Sequence, residues 1–319
     1  MNSILLQANE RQMYERDLLT CEAWGAGLSP EGFAEREARL RAQAWARRTM
    51  STWLLVDESS GAVLSSCEIF RMPSSLEFEH LQIHGSSYGI ASVFTEGALR
   101  GRAYATKMLS LLCAQLQQRD ASIQSCVLYS DVGAPIYERI GFQARPAMDR
   151  IFLPEEGDPA SGVELLGEDA LRDALSLVPL PAQGFLIRPV WEQIDWHLER
   201  ERVYARLLGG VRPFAQGARI GNAVVFWASY YKSGELFILL AHAEREEDLR
   251  GLLRSARRMA RVCGLSRVVI WDHPPALPFA KGEEGGQPVA REGSLPMILP
   301  LDPRVNSTAW SFIPKVLWL

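Results

Sequence analysis

The stretch Ser92–Leu109, SVFTEGALRGRAYATKML, constrains this chain more than any other, because it reads as strand, tight turn and helix in succession. Val93 and Phe94 close an apolar run that begins near Tyr88. Arg100-Gly101-Arg102-Ala103-Tyr104-Ala105 follows, small residues broken by arginines. Ala105, Met108, Leu109, Leu112 and Leu116 then recur at helical spacing, which predicts a helix with one inward face. Small side chains let a backbone come close to a ligand, and the first N–H groups of a helix have no intrahelical partner. The helix dipole favours negative charge at the same place, so the turn is a candidate pyrophosphate cradle. Small residues also open helices that bind nothing, and the turn alone does not separate the two readings.

A companion element further along adds to it. Cys126-Val127-Leu128-Tyr129-Ser130-Asp131 reads as a short apolar strand and Val132-Gly133-Ala134-Pro135 as a turn. Ile136-Tyr137-Glu138-Arg139-Ile140-Gly141-Phe142 reads as a short helix ending in glycine. This order closely resembles the Gcn5-related N-acetyltransferase (GNAT) superfamily. There the first turn follows Arg/Gln-x-x-Gly-x-Gly/Ala, and the second element carries a tyrosine four residues before Gly-Phe. The resemblance implies an α/β protein of the GNAT fold, a mixed and mostly antiparallel central sheet flanked by helices. It also implies acetyl-CoA as co-substrate, held by Val93, Phe94 and Thr95 and by Arg100, Gly101, Arg102, Ala103, Tyr104 and Ala105. Ala103 replaces the central glycine of the pattern and is expected to fit a permissive backbone angle.

A narrower resemblance runs through Ser65-Ser66-Cys67-Glu68, Ser92-Val93-Phe94-Thr95, the arginine-rich turn and Leu128-Tyr129-Ser130-Asp131-Val132-Gly133. Together with Trp191-Glu192-Gln193-Ile194-Asp195-Trp196-His197, these stretches look like the fungal lysine N6-acetyltransferases, which act on free lysine.

Two units fit the length. Residues 1–153 are the expected acetyl-CoA-binding catalytic domain, residues 154–162 a linker of Pro/Gly/Asp composition, and residues 163–319 a second domain. In the first, helices are expected over Glu10–Trp24, with Met13, Leu18 and Cys21 inward, and from Ser29-Pro30 to Arg48. Trp53–Val56 and Ala62–Phe70 read as strands, Arg71–Ser87 as a further strand or a substrate loop, and Met148–Leu153 as the last strand. In the second, a hairpin (Ala223–Tyr231, Leu236–Ala241), a helix (Glu244–Cys263) and a strand (Arg267–Trp271) repeat the order of the first. This predicts a degenerate GNAT-like copy. Its helix opens on Glu244-Arg245-Glu246-Glu247-Asp248, charges that suit the dipole and repel a pyrophosphate, so its expected role is to shape a substrate pocket. Pro274–Gly293 reads as a mobile loop and the apolar end Trp310–Leu319 as a segment packed back on the protein.

Charge and composition narrow the partners. A net charge of −4 without a basic tract argues against nucleic acid, and no apolar run approaches a membrane span. Glu10 and Arg11 come too early for a signal core, which predicts a cytoplasmic protein. Five cysteines and five histidines lack ligand spacing, apart from His80 and His84 at i, i+4, which flank a loop or strand rather than a helix, so no metal is expected.

The expected partner is therefore a small-molecule amine. A lysine-type ammonium has a pKa of about 10.4 and no lone pair, so a site must first remove a proton. It must also polarise the thioester carbonyl and protonate the departing thiolate. The resemblance assigns the last role to Tyr137 and the polarising N–H to the backbone near Phe94 or Thr95. Glu68 is the first choice for the base; Glu79, Asp131 and the carboxylate of Leu319 follow. Trp191, Asp195 and Trp196 are candidates for substrate contact. Acetylation of an aminoglycoside or peptide amine, and a non-catalytic acyl-CoA sensor, stand as alternatives.

Overall fold

The computed structural model describes residues 2–25, 27–157, 161–272, 277–306, 308–310 and 312–319. The chain opens with β1 (Ser3–Gln7) and α1 (Glu10–Trp24), whose start is fixed by a reciprocal Asn9–Gln12 capping box. In α2 (Pro30–Ala42) the Ser29 hydroxyl accepts the Gly32 N–H at 3.1 Å and proline occupies the first turn. The single helix expected to reach Arg48 instead breaks at Gln43, whose extended backbone (φ −63°, ψ 146°) separates α3 (Ala44–Thr49). Next come β2 (Met50–Asp57), β3 (Val63–Phe78) and β4 (Leu81–Phe94). The ambiguous stretch Arg71–Ser87 is the far part of one long β3–β4 hairpin, reversed at Glu79 and His80, both at positive φ. α4 (Tyr104–Arg119), β5 (Ile123–Ser130), the one-turn α5 (Pro135–Glu138), β6 (Gln143–Ala144) and β7 (Met148–Phe152) complete the first half.

The second half contains β8 (Glu164–Leu166), α6 (Glu168–Ala174), β9 (Phe185–Ile187), α7 (Trp191–Leu208), β10 (Gly217–Ile220), β11 (Ala223–Tyr230) and β12 (Glu235–His242). It ends with α8 (Glu246–Val262), β13 (Arg267–Asp272), β14 (Gln287–Ala290), β15 (Leu295–Pro300) and α9 (Pro303–Asn306). The repeat is real. β4 runs antiparallel to β3 and, after α4, parallel to β5; β12 runs antiparallel to β11 and, after α8, parallel to β13.

The two sheets exchange strands. One has the order β1-β2-β3-β4-β5-β15-β6, with β9 beside β3; the other is β14-β7-β13-β12-β11-β10-β8. Thus Met148–Phe152, expected as the last strand of the first sheet, pairs with β13 of the second. β15 supplies the corresponding antiparallel neighbour of β5. An exchange of this kind makes the halves one cooperative unit, because each sheet needs a strand from the other side of the linker. Within the linker, residues 158–160 lie outside the described residues; Glu155 and Glu156 pair with Arg254, Arg257 and Arg261 of α8. Residues 274–276 of the expected mobile loop also lie outside them. The remainder is no bare loop, since β14 pairs with β7.

α4 buries Met108, Leu109, Leu112, Cys113 and Leu116 in one cluster with Leu55, Ile69 and Ile90. Each large apolar side chain contributes roughly 1.5–3 kcal/mol on burial. On α1 the inward residues are not Met13, Leu18 and Cys21, which are half-buried, but Arg16, Asp17 and Thr20. A polar face can turn inward only when its groups find partners. Asp17 takes Arg41 in a two-pronged contact, one bond of 3.1 Å, and Arg16 is used in the site described below. The C-terminal segment packs back as expected, with Trp310, Phe312, Ile313, Val316 and Leu317 buried. Among the described residues no helix is long and apolar enough to cross a membrane.

Candidate active site

β4 and β5 pair in parallel only as far as Ile90 and Leu128, although β4 continues to Phe94 and β5 to Ser130. Beyond that point the strands part. The register between β3 and β4 also shifts there, between the Ser66–Phe94 and Glu68–Ala91 pairs, and Ser92 takes a positive φ of 50°. Arg16 fixes this irregular segment from behind. Its guanidinium donates to the Ser92 carbonyl at 2.9 Å, to Ser66 Oγ at 3.1 Å and to Glu68 Oε1 at 2.9 Å. Two carbonyls just beyond are also held, Phe94 O by Ser65 Oγ at 2.8 Å and Thr95 O by Arg100 Nε at 3.0 Å.

The turn between β4 and α4 lies open. Arg100 to Ala103 are exposed, and neither a side-chain cap nor an acidic residue occupies the first turn of α4. The N–H groups that open a long helix lack intrahelical partners, and with no carboxylate to compete such a start fits an incoming pyrophosphate. Arg100 is engaged through Nε, and its terminal nitrogens make no hydrogen bond among the described residues. Ala103 departs from the expectation of a permissive angle: it sits at φ 60°, ψ 22°, in the left-handed region that favours glycine.

The parting of β4 and β5 forms part of the wall of a cavity of about 570 Å3 lined by both halves. From the first half come Glu68, Ser92, Val93, Asp131 and Tyr137. Tyr137, on α5, is 7% exposed, with its ring edge-to-face against Phe142 at 6.1 Å. Burial raises its pKa above the ordinary tyrosine value, with Asp131 and Cys67 adding to the effect, so the hydroxyl keeps its proton. Glu68 is 4% exposed; Oε1 is taken by Arg16, while Oε2 has no hydrogen bond among the described residues.

From the second half come Trp196, Arg200, Tyr230, Glu235, Phe237, Lys315, Trp318 and Leu319. The Tyr230 ring is set by a relay. His197 Nε2 lies 2.9 Å from the Val316 carbonyl, which can only accept, so that nitrogen carries the proton. Nδ1 then accepts from the Tyr230 hydroxyl at 3.1 Å. Burial drives the His197 pKa down to about 3, which keeps this tautomer neutral.

Other sequence candidates stand elsewhere or are already held by the chain. Glu79 is exposed at the tip of the β3–β4 hairpin. Asp131 accepts from the Ser294 N–H at 2.7 Å and ties down the entry to β15, rather than capping α5. Asp195 accepts from Arg202 at 3.1 Å, and Trp191 does not line the cavity, whereas Trp196 does. Arg16, Arg200, Tyr230 and Lys315 were not singled out. Arg200 carried a usable signal, since it follows Trp196 by one helical turn and shares its face.

Residues 168–319 match the family model described as the LYC1 GNAT-like C-terminal domain. A protein of Yarrowia lipolytica named lysine acetyltransferase is 22% identical over 374 aligned positions, covering 92% of this chain and 94% of its own. Among solved structures, a probable N-acyltransferase from Enterococcus faecalis V583 superposes with a TM-score of 0.60 at 12% identity, covering 93% of this chain and 72% of that one. A GCN5-related N-acetyltransferase from Kribbella flavida gives 0.59 at 16% identity, covering 94% and 71%. These structural likenesses establish the fold. With the turn and the parted strands, the chain has the fold of the Gcn5-related N-acetyltransferases, and its C-terminal part, residues 168–319, matches a GNAT-like domain family.

Proposed function

We propose that this chain transfers the acetyl group of acetyl-CoA to the amine of a small molecule, with the ε-amine (N6) of lysine as the first candidate, by direct attack in a ternary complex. The observation that carries this reading is spatial. The parting of β4 and β5, Tyr137 and Glu68 line one cavity, and the open start of α4 is joined to β4 by the turn of residues 95–103. In this reading residues 1–153 supply the donor site and residues 163–319 the far wall of the acceptor site. The likeness to the Yarrowia lysine acetyltransferase supports lysine.

The bound co-substrate supplies a thioester, the electrophile for the amine. The chain does the rest. The N–H groups at the start of α4, with Arg100, Gly101, Arg102, Ala103, Tyr104 and Ala105, hold the pyrophosphate. Backbone N–H near Phe94 or Thr95, with Val93 alongside, orients the thioester carbonyl. Glu68 Oε2 takes a proton from the acceptor amine, directly or through water, while Arg16 holds Oε1. Tyr137 gives its proton to the departing thiolate; the raised pKa keeps that proton available at neutral pH.

The sensor reading draws support from the Arg16–Glu68 pair, since an arginine already neutralises the candidate base. Thiol release from acetyl-CoA, measured with free lysine, an aminoglycoside and a lysine-containing peptide, separates the readings. Stimulation by lysine is expected. Cofactor binding without release for any amine would replace the transferase with the sensor.

A further inference from the structure

The ionised groups around the cavity are unevenly matched. Each of its acidic side chains is already engaged; the chain-terminal carboxylate of Leu319, which also lines it, is the one further acid. Glu37 is paired with Arg36, Glu68 with Arg16 at 2.9 Å, Glu235 with Arg267 at 2.5 Å, and Asp131 with the Ser294 N–H. Of its cations, the exposed Lys232 and the pair Arg200 and Lys315 have no ion pair within 4.0 Å among the described residues; Arg200 and Lys315 lie together. Both face the same two rings. The Arg200 guanidinium lies 4.6 Å from the Tyr230 centroid and 4.7 Å from that of Trp318. Lys315 Nζ lies 3.8 Å from Trp318, 4.5 Å from Phe237, 4.6 Å from Trp271 and 5.1 Å from Tyr230.

Aromatic faces attract a cation but carry no counter-charge. Lys315 is 4% exposed, so solvent does not supply one either. Burial pushes its pKa well below the usual value, and Arg200 and Arg291 push the same way. Asp149 and Asp131 oppose them, but Asp149 is committed to Arg291 at 2.9 Å and Asp131 to Ser294. The Arg200 guanidinium and the Lys315 amine share one pair of rings, with every nearby acidic side chain engaged, so an incoming anion would favour the charged form of both.

We propose that Arg200 and Lys315 form a carboxylate-binding subsite in the acceptor half of the cavity. The acceptor is then an amine that also carries a carboxylate, an amino acid or the C-terminal end of a peptide. A polycation is disfavoured, because the acidic side chains it would need are engaged and the unengaged charges repel it. The word acceptor rests on the acyl-transfer reading; the subsite itself does not.

The test is calorimetric binding to the full chain, saturated with coenzyme A, of three matched probes. L-lysine carries both groups, 6-aminohexanoate keeps the carboxylate without the α-amine, and cadaverine keeps the amines without the carboxylate. The expected result is at least about tenfold weaker binding of cadaverine than of 6-aminohexanoate, the scale of losing charge-assisted hydrogen bonds. In Arg200→Gln that gap closes, and in Arg200→Lys, which keeps the charge on a partly exposed position, it returns in part. Lys315→Met, which keeps most of the buried stem, narrows it independently. Equal binding of cadaverine and 6-aminohexanoate, an unchanged gap in Arg200→Gln, or no binding of any probe overturns the proposal. A Gly-Lys dipeptide as a fourth probe separates a peptide end from a free amino acid, since only the former tolerates the added residue. Thiol release is followed alongside: the gap without turnover sinks the acyl-transfer reading and leaves the subsite standing, whereas turnover without the gap does the reverse.

Discussion

The chain carries the same strand–helix–strand unit twice, and the two copies agree in more than topology. β4 pairs with β5 up to Ile90 and then runs on to Phe94; β12 pairs with β13 up to Ile238 and then runs on to His242. Each has a register irregularity just past the parting. The opening between strands is therefore a property of the fold. What differs is the filling. In the second copy Lys315 lies between Phe237 of β12 and Trp271 of β13, so the chain's own side chain occupies that region. In the first copy the opening faces the cavity. The helix starts differ as well. α4 begins on an exposed, acid-free turn, whereas α8 begins with Glu246, Glu247 and Asp248, the last paired with Arg245 at 2.7 Å. In the proposed reading two near-equal backbones carry one donor site, and the difference lies in a few side chains.

The comparison is broken most severely at Tyr137, if that residue serves as the acid. Tyr137→Phe is expected to lower kcat by roughly 10²–10⁴-fold, the usual scale of a positioned acid, and to leave coenzyme A affinity within about twofold. Stopped-flow turnover and calorimetry read the two separately. The parent has a second signature. A general acid works while protonated, so activity holds at neutral pH and falls only as pH rises through the Tyr137 pKa, above the ordinary value of about 10. An alkaline limb at the ordinary value, unchanged in Tyr137→Phe, would remove the residue from the reaction.

A smaller effect is expected from moving charge between the two helix starts. Arg102→Glu places a carboxylate beside the open start of α4 and should raise the acetyl-CoA KM about tenfold at low salt, less at high salt. Replacing Glu246 and Glu247 together by Gln should leave that KM unchanged. It should cost about 0.3–1 kcal/mol of stability per charge, because those carboxylates serve only the dipole of α8. If the double change instead created a second coenzyme A site, the acidic start would be the sole barrier in that copy.

How far the sequence foretold this follows from the range of each interaction. The α4 turn and the short helix of Tyr137 were legible because their signals are local: spacing, small residues and a terminal glycine. The repeat was legible for the same reason. Arg16 was not, since its role rests on Glu68, 52 positions away, and on a carbonyl 76 positions away, and because apolar periodicity pointed to Met13 and Leu18 instead. The strand exchange left no local trace: Met148–Phe152 reads as a strand whichever sheet receives it. Lys315 was hidden inside an apolar tail, where only the convergence of Tyr230, Phe237, Trp271 and Trp318 explains how a cation can be buried.

The finest difference between the copies sits at the residue before each helix. Ala103 precedes α4 in the left-handed region at φ 60°, whereas Arg245 precedes α8 at φ −115° in ordinary extended backbone. A residue with a Cβ costs roughly 1–2 kcal/mol in the left-handed region, and glycine does not. Glycine in turn gives the unfolded chain more freedom, worth about 0.4–1 kcal/mol against the folded state. The two terms leave Ala103→Gly more stable by about 0.5–1 kcal/mol, with acetyl-CoA affinity unchanged or slightly tighter. At Arg245 both terms point the other way: there is no strain to release, and the pair with Asp248 is lost, so Arg245→Gly should be destabilising by about 0.5–1 kcal/mol. Parallel denaturant curves on the two variants read the signs directly. Opposite signs would tie the small-residue turn to a backbone conformation that the first copy alone adopts; equal signs would mean that Ala103 is not strained, and that its place in the turn reflects the ligand rather than the chain.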